Sequence, residues 1–133
     1  MFYFSRNQLS YLPSSVCQLP LLQCLVANNN RLVSLPEEIG QMSCLMQLDV
    51  SCNEIAHLPP QIGDCNNLRS LDLRRNHLQE VPVEVTYLQL SWLDLSGNRL
   101  STLPVELRFM VTLVDLHLHD NPLTCPPANV RSV

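Results

Sequence analysis

Residues 45–67 read LMQLDVSCNEIAHLPPQIGDCNN. Apolar residues stand at Leu45, Leu48, Val50, Ile55, Leu58 and Ile62, with Asn53 in their midst and Pro59 directly after Leu58. The same arrangement returns from Leu22, Leu68, Leu90 and Leu113. Its asparagines are Asn7, Asn30, Asn53, Asn76, Asn98 and Asn121, separated by 23, 23, 23, 22 and 23 residues. Its prolines, Pro13, Pro36, Pro59, Pro82, Pro104 and Pro127, keep the same steps. Two residue types holding one register over six copies identify a structural repeat, L-x-x-L-x-L-x-x-N-x-L-x-x-L-P-x-x-I-x-x-L-x-x. The fourth copy is one residue short, between Leu88 and Leu90, and the first is partial, with Phe2 and Phe4 at its fourth and sixth positions.

Each position has a physical task. Alternation at Leu48 and Val50, or Leu71 and Leu73, is the period of a short strand with one buried face. An asparagine amide both donates and accepts, so a column of them is expected to satisfy the turning backbone from inside. Ile55 and Leu78 close the turn. Leu-Pro then opens an outer segment, where proline suits the first position of a short helical turn. Ile39, Ile62, Val85 and Leu107 direct that segment back into the core. No copy can bury its apolar side alone, so the copies must stack. The expectation is one α/β domain over residues 1–133: a right-handed, curved solenoid of about six 22–23-residue repeats. Their starts fall near 1 (partial), 22, 45, 68, 90 and 113, with a parallel concave sheet and short 3-10 or helical turns on the convex side. Both ends are expected to be cut, since Met1 falls inside a repeat and Val133 follows soon after the last asparagine.

Composition narrows the function. The formal charge is −4, from 8 basic and 12 acidic residues. That balance disfavours nucleic acid or an anionic membrane as partner. No apolar run reaches the ~20 residues of a membrane span. Cys17, Cys24, Cys44, Cys52, Cys65 and Cys125 share no spacing. Free thiols in a reducing cytoplasm are expected rather than a disulfide framework. No nucleophile–base set, phosphate loop or zinc cysteine pattern occurs, so neither an enzyme nor a cofactor is expected. Gly40, Gly63 and Gly97 fit repeat turns.

Side chains at positions 3, 5 and 7 of each repeat should point out of the concave sheet. Position 3 carries Cys24, Gln47, Ser70, Trp92 and Asp115; position 5, Tyr3, Val26, Asp49, Asp72, Asp94 and His117; position 7, Ser5, Asn28, Ser51, Arg74, Ser96 and His119. Trp92, the sole tryptophan, is a candidate binding anchor, against the alternative that it lies flat over its neighbours. Asp49, Asp72 and Asp94 form an acidic column that would suit a basic partner or would simply fill the repeat pattern. Arg74 and Arg75, flanked by Arg31 and Arg99, would form a basic rim or pair with that column. The candidate protein-binding residues are therefore Trp92, Arg74, Asp49, Asp72, Asp94, Asn28, Gln47, His117 and His119. Asp115, His117 and His119 share a strand face, but they lack a fourth ligand and spread over ~13 Å at the backbone. No metal site is expected.

The Leu-Pro-x-x-Ile form of the repeat resembles the intracellular class of leucine-rich-repeat proteins associated with Ras and scaffolds. Within it, FSRNQLSYLPSSVCQLP, NNNRLVSLPEEIG, LMQLDVSCNEI, LRSLDLRRNHL, the shortened YLQLSWLDLSGN and the ending NPLTCPPANV resemble the leucine-rich-repeat and calponin-homology-domain family. The resemblance implies a scaffold or adaptor of the cytoplasm or cell cortex, in cytoskeletal or small-GTPase signalling, with exchange factors for Rho-type GTPases as partners. The sequence carries no calponin-homology domain, so direct actin binding is not implied. The function expected is a non-catalytic protein–protein interaction module. The alternative is a structural piece of a larger solenoid without binding of its own.

Overall fold

A computed structural model describes residues 2–124. Met1, Cys125, Pro127 and the rest of the ending from residue 125 on lie outside the described residues. Six short strands run parallel in one sheet: β1 (Phe2–Tyr3), β2 (Cys24–Val26), β3 (Gln47–Asp49), β4 (Ser70–Asp72), β5 (Trp92–Asp94) and β6 (Asp115–His117). Their spatial order is their chain order, so each repeat touches the next along one axis, as a solenoid requires. Repeat positions pair in register: Leu25 faces Leu48, Leu48 faces Leu71, Leu71 faces Leu93 and Leu93 faces Leu116. These five leucines form a column without solvent exposure. Each strand offers it only the one inward residue its alternation allows.

Opposite the sheet lie five single 3-10 turns, Ser14–Gln18, Glu37–Gln41, Pro60–Asp64, Val83–Tyr87 and Val105–Phe109. Ile39, Ile62, Val85 and Leu107 return from them into the core and are buried, as the repeat predicts. The prolines act differently from the expectation. Pro13, Pro36, Pro59, Pro82 and Pro104 sit one residue ahead of the turn, at the N-cap, with ψ between 132° and 149°. Their carbonyls accept the first 3-10 hydrogen bond, as from Ile62 N to Pro59 O at 3.0 Å. The fixed φ of proline suits this extended approach, and the carbonyl it retains closes the turn.

Successive turns pack closely at glycine. A Cβ on Gly40 would lie 2.6 Å from the carbonyl oxygen of Gln61, and one on Gly63 would lie 2.9 Å from that of Glu84. Those carbonyls belong to the neighbouring backbone and cannot swing away, so only glycine fits.

The shortened repeat is absorbed on the outer side. In the others, a second turn follows the 3-10 segment, as Leu45 N donates to Met42 O and Leu68 N to Cys65 O. After Val83–Tyr87 the chain instead extends at Leu88, with ψ 157°. Strand register survives the deletion, since Trp92 still pairs with Ser70.

The asparagines form the expected inner ladder. The Asn53 amide donates to Ala27 O at 3.0 Å and Val50 O at 2.9 Å, and its Oδ1 accepts from Leu32 N at 3.0 Å. Asn76 and Asn98 repeat the pattern one and two repeats further on. Each side chain thus meets the needs of its own repeat and of the preceding one.

Cys17, Cys24, Cys44, Cys52 and Cys65 are free thiols. Burial, reinforced by Glu38, pushes the Cys17 thiol up to about 11. Burial, then Asp64 and Cys17, pushes Cys65 to about 12, and its Sγ donates to Ile39 O at 3.2 Å. Thiolates are the reactive form. Brief alkylation of the native protein near neutral pH should therefore label the half-exposed Cys44 and Cys52 and leave Cys17 and Cys65 unmodified, as read by peptide mass spectrometry. Comparable labelling of all four would show that the core opens readily.

Candidate protein-binding face

The outer face of the sheet is built by the strands and by the residues that follow them. Trp92 is half-buried on β5 and separates two hollows. One, of about 350 Å³, is lined by Gln47, Leu48, Asp49, Ser70, Asp72 and Trp92. The other, of about 500 Å³, runs from Trp92 and Asp94 past Arg74 and Arg75 to His117 and His119. The Trp92 ring lies 5.6 Å from that of His117, tilted by 53°. His117 in turn meets His119 edge-on at 6.4 Å. Three rings, on β5, on β6 and two residues beyond it, therefore form one wall.

The acidic column is in register, Asp49 beside Asp72 and Asp72 beside Asp94, but it is recessed. Asp72 and Asp94 are only 8% and 5% exposed, where alternation placed them on an open surface. Their acceptor capacity is turned to local use. Asp94 Oδ1 accepts from Ser96 N at 2.9 Å and from the Ser96 hydroxyl at 2.6 Å. Asp49 receives the same two bonds from Ser51. Asp72 accepts from Arg74 N at 3.2 Å, and its other oxygen lies 3.5 Å from Arg74 Nε. An aspartate that bonds the backbone two residues on holds the strand exit in shape. Desolvation dominates at Asp72 and raises its carboxyl to about 6; the Arg74 N–H and guanidinium oppose this, while Asp49 and Asp94 add to it.

The remaining candidates divide. Gln47 is exposed and lines the first hollow. Arg74 is exposed and lines the second, as His119 does. Asn28 lies away from them toward β1, where it accepts a hydrogen bond from the Ser5 hydroxyl. Among the described residues, no group of three or more His, Cys, Asp or Glu side chains could hold a metal ion.

Position 8 of the repeat has a backbone conformation that period two does not foretell. Arg6, Asn29, Cys52, Arg75, Gly97 and Asp120 occupy it, and all have positive φ, from 54° at Arg75 to 69° at Gly97. A left-handed residue after position 7 breaks the alternation of the strand. Cys52, Arg75, Gly97 and Asp120 consequently line the second hollow. Asn29, Gly97 and Asp120 are types that tolerate this conformation and are the only signal the sequence offers for it.

Against known families, residues 20–78 and 66–123 match the leucine-rich-repeat model, which together is more than half of the sequence. This chain belongs to the leucine-rich-repeat family. A leucine-rich-repeat protein from Leptospira interrogans has a solved structure similar to it, with a TM-score of 0.87 and 38% sequence identity over 92% of this chain. The leucine-rich-repeat chain described here spans 31% of that protein's chain. No curated protein matches the sequence. Leucine-rich repeats generally mediate protein–protein interaction through the extended surface their stacking creates. No helix among the described residues is long and apolar enough to cross a membrane.

Proposed function

We propose that this leucine-rich-repeat chain is a non-catalytic protein-binding module whose partner docks on the concave sheet, centred on Trp92. The observation that carries this reading is the position of Trp92 between two hollows, backed by the His117 ring. A half-buried tryptophan beside recesses offers a large apolar surface at low entropic cost, the usual character of an interface anchor. The resemblance to the leucine-rich-repeat and calponin-homology-domain family supports a finer reading. In it the chain serves as a scaffold or adaptor of the cytoplasm or cell cortex, with exchange factors for Rho-type GTPases as the partner class.

The test is direct. An exchange factor of that class, purified, is titrated against wild-type protein and Trp92→Ala. Loss of the anchor should weaken binding by about 2 kcal/mol, roughly thirtyfold. Undiminished binding by Trp92→Ala would remove the concave face from consideration. Absence of any binding by the wild type would instead remove that partner class.

A further inference from the structure

Charge is segregated across the molecule in a way that its net value of −4 conceals. Five of the 8 basic residues, Arg6, Arg31, Arg74, Arg75 and Arg99, are exposed where the chain leaves the strands. Glu54 and Asp120 are the exposed acids in the same stretches. The outer turns are mainly acidic, with Glu37, Glu38, Asp64, Glu84 and Glu106 against Arg108. The basic edge meets the aromatic wall at the second hollow, where Arg74 and Arg75 lie opposite Trp92, His117 and His119.

Two details show how the cationic side of that hollow is built. The Arg75 stem runs over Gly97, since a Cβ on Gly97 would lie 3.2 Å from Arg75 Cγ. The backbone beneath is fixed by the Arg75 N–H, which donates to Ser96 O at 2.8 Å. The carboxylate in the floor, Asp94, is recessed and spends an oxygen on Ser96. The exposed charges lining the hollow are therefore Arg74 and Arg75 against the single carboxylate of Asp120, with half-buried Asp115 paired beside Trp92 on β6. Guanidinium groups pair with carboxylates in a planar, two-bonded geometry.

Building on the protein-binding reading above, we propose that the hollow beside Trp92 receives an acidic, extended segment of the partner protein. Carboxylates of that segment pair with Arg74 and Arg75, and one of its apolar side chains covers the Trp92 ring. The acidic outer turns repel such a segment and so favour its approach to the concave side.

The sole tryptophan makes the proposal measurable, because emission excited selectively from Trp92 reports on the face where this hollow and its neighbour meet. The probes are a synthetic peptide of alternating glutamate and alanine, its lysine–alanine counterpart, and polyuridylate. The glutamate peptide should shift the Trp92 emission and saturate, and raising salt from ~50 mM to ~500 mM should weaken it markedly. Arg75→Glu should weaken it by roughly tenfold and Arg75→Gln by less. Arg108→Glu, on an outer turn, should leave it unchanged. A response as strong to the lysine peptide, tighter binding of polyuridylate, or indifference to Arg75→Glu would each overturn the proposal. Should the glutamate peptide fail while Trp92→Ala still abolishes exchange-factor binding, the acidic segment falls and the concave docking site stands.

Discussion

Replacing Asn53 with leucine is expected to cost the fold about 2 kcal/mol, read as a lowered midpoint in urea unfolding. Leucine keeps the number and branching of the side-chain heavy atoms, so packing alone predicts a smaller change. The hydrogen bonds decide otherwise. Leu32 N loses its acceptor, while Ala27 O and Val50 O each lose one donor and keep the amides of Asn30 and Asn76. All three lie in the solenoid interior, where Asn53 itself is 5% exposed. A buried group left without a partner costs about 1–3 kcal/mol, and Leu32 N becomes such a group. The damage falls on the junction of two repeats. A chain held together by neighbour interfaces should then unfold in two steps rather than one. A single transition at the wild-type midpoint would mean that the asparagine ladder contributes little.

Asp72→Asn is expected to act in the opposite direction and to stabilise the protein above neutral pH. The Asp72 carboxyl is raised from 3.8 to about 6 in the folded state, chiefly by desolvation. Below about pH 4 it is protonated in folded and unfolded chains alike, and nothing is lost. Between about pH 4 and pH 6 the unfolded chain releases its proton while the folded one retains it, so stability falls as pH rises. Above about pH 6 the penalty is complete. The folded carboxyl then holds its proton roughly a hundredfold more tightly than the unfolded one, which corresponds to about 3 kcal/mol. Asparagine keeps an acceptor for Arg74 N and removes the charge. Unfolding measured at about pH 4.5 and pH 7.5 should show a gap for wild type that narrows in Asp72→Asn. Equal gaps, or a less stable variant at the higher pH, would show that Arg74 already compensates the buried charge.

The repeat made the architecture legible because its register is covalent. Once Asn53 and Pro59 are aligned with their copies, every leucine of the core follows, including Leu88 beside the missing residue. The task of the prolines was less legible, because a fixed φ serves the N-cap and the first helical position equally well. Alternation told which side of the sheet Asp72 and Asp94 occupy, but not how deep they sit. Depth depends on neighbours such as Arg74 and Ser96, which fold back over the strand exit. The second hollow was only half visible. Trp92, Arg74, His117 and His119 follow from period two, whereas Cys52 and Arg75 enter through a left-handed turn that neither residue type announces.

The asparagine ladder also has a direction. Leu9 N, Leu32 N, Ile55 N, Leu78 N and Leu100 N are each capped by an asparagine of the following repeat, Asn30, Asn53, Asn76, Asn98 and Asn121. A chain emerging from the ribosome, N-terminus first, therefore cannot finish a repeat from its own residues. It must wait for the next asparagine, 20 or 21 residues later, to leave the exit tunnel. Synthesis and folding would then advance in the same step size, with every newly made repeat sealing the one made before it.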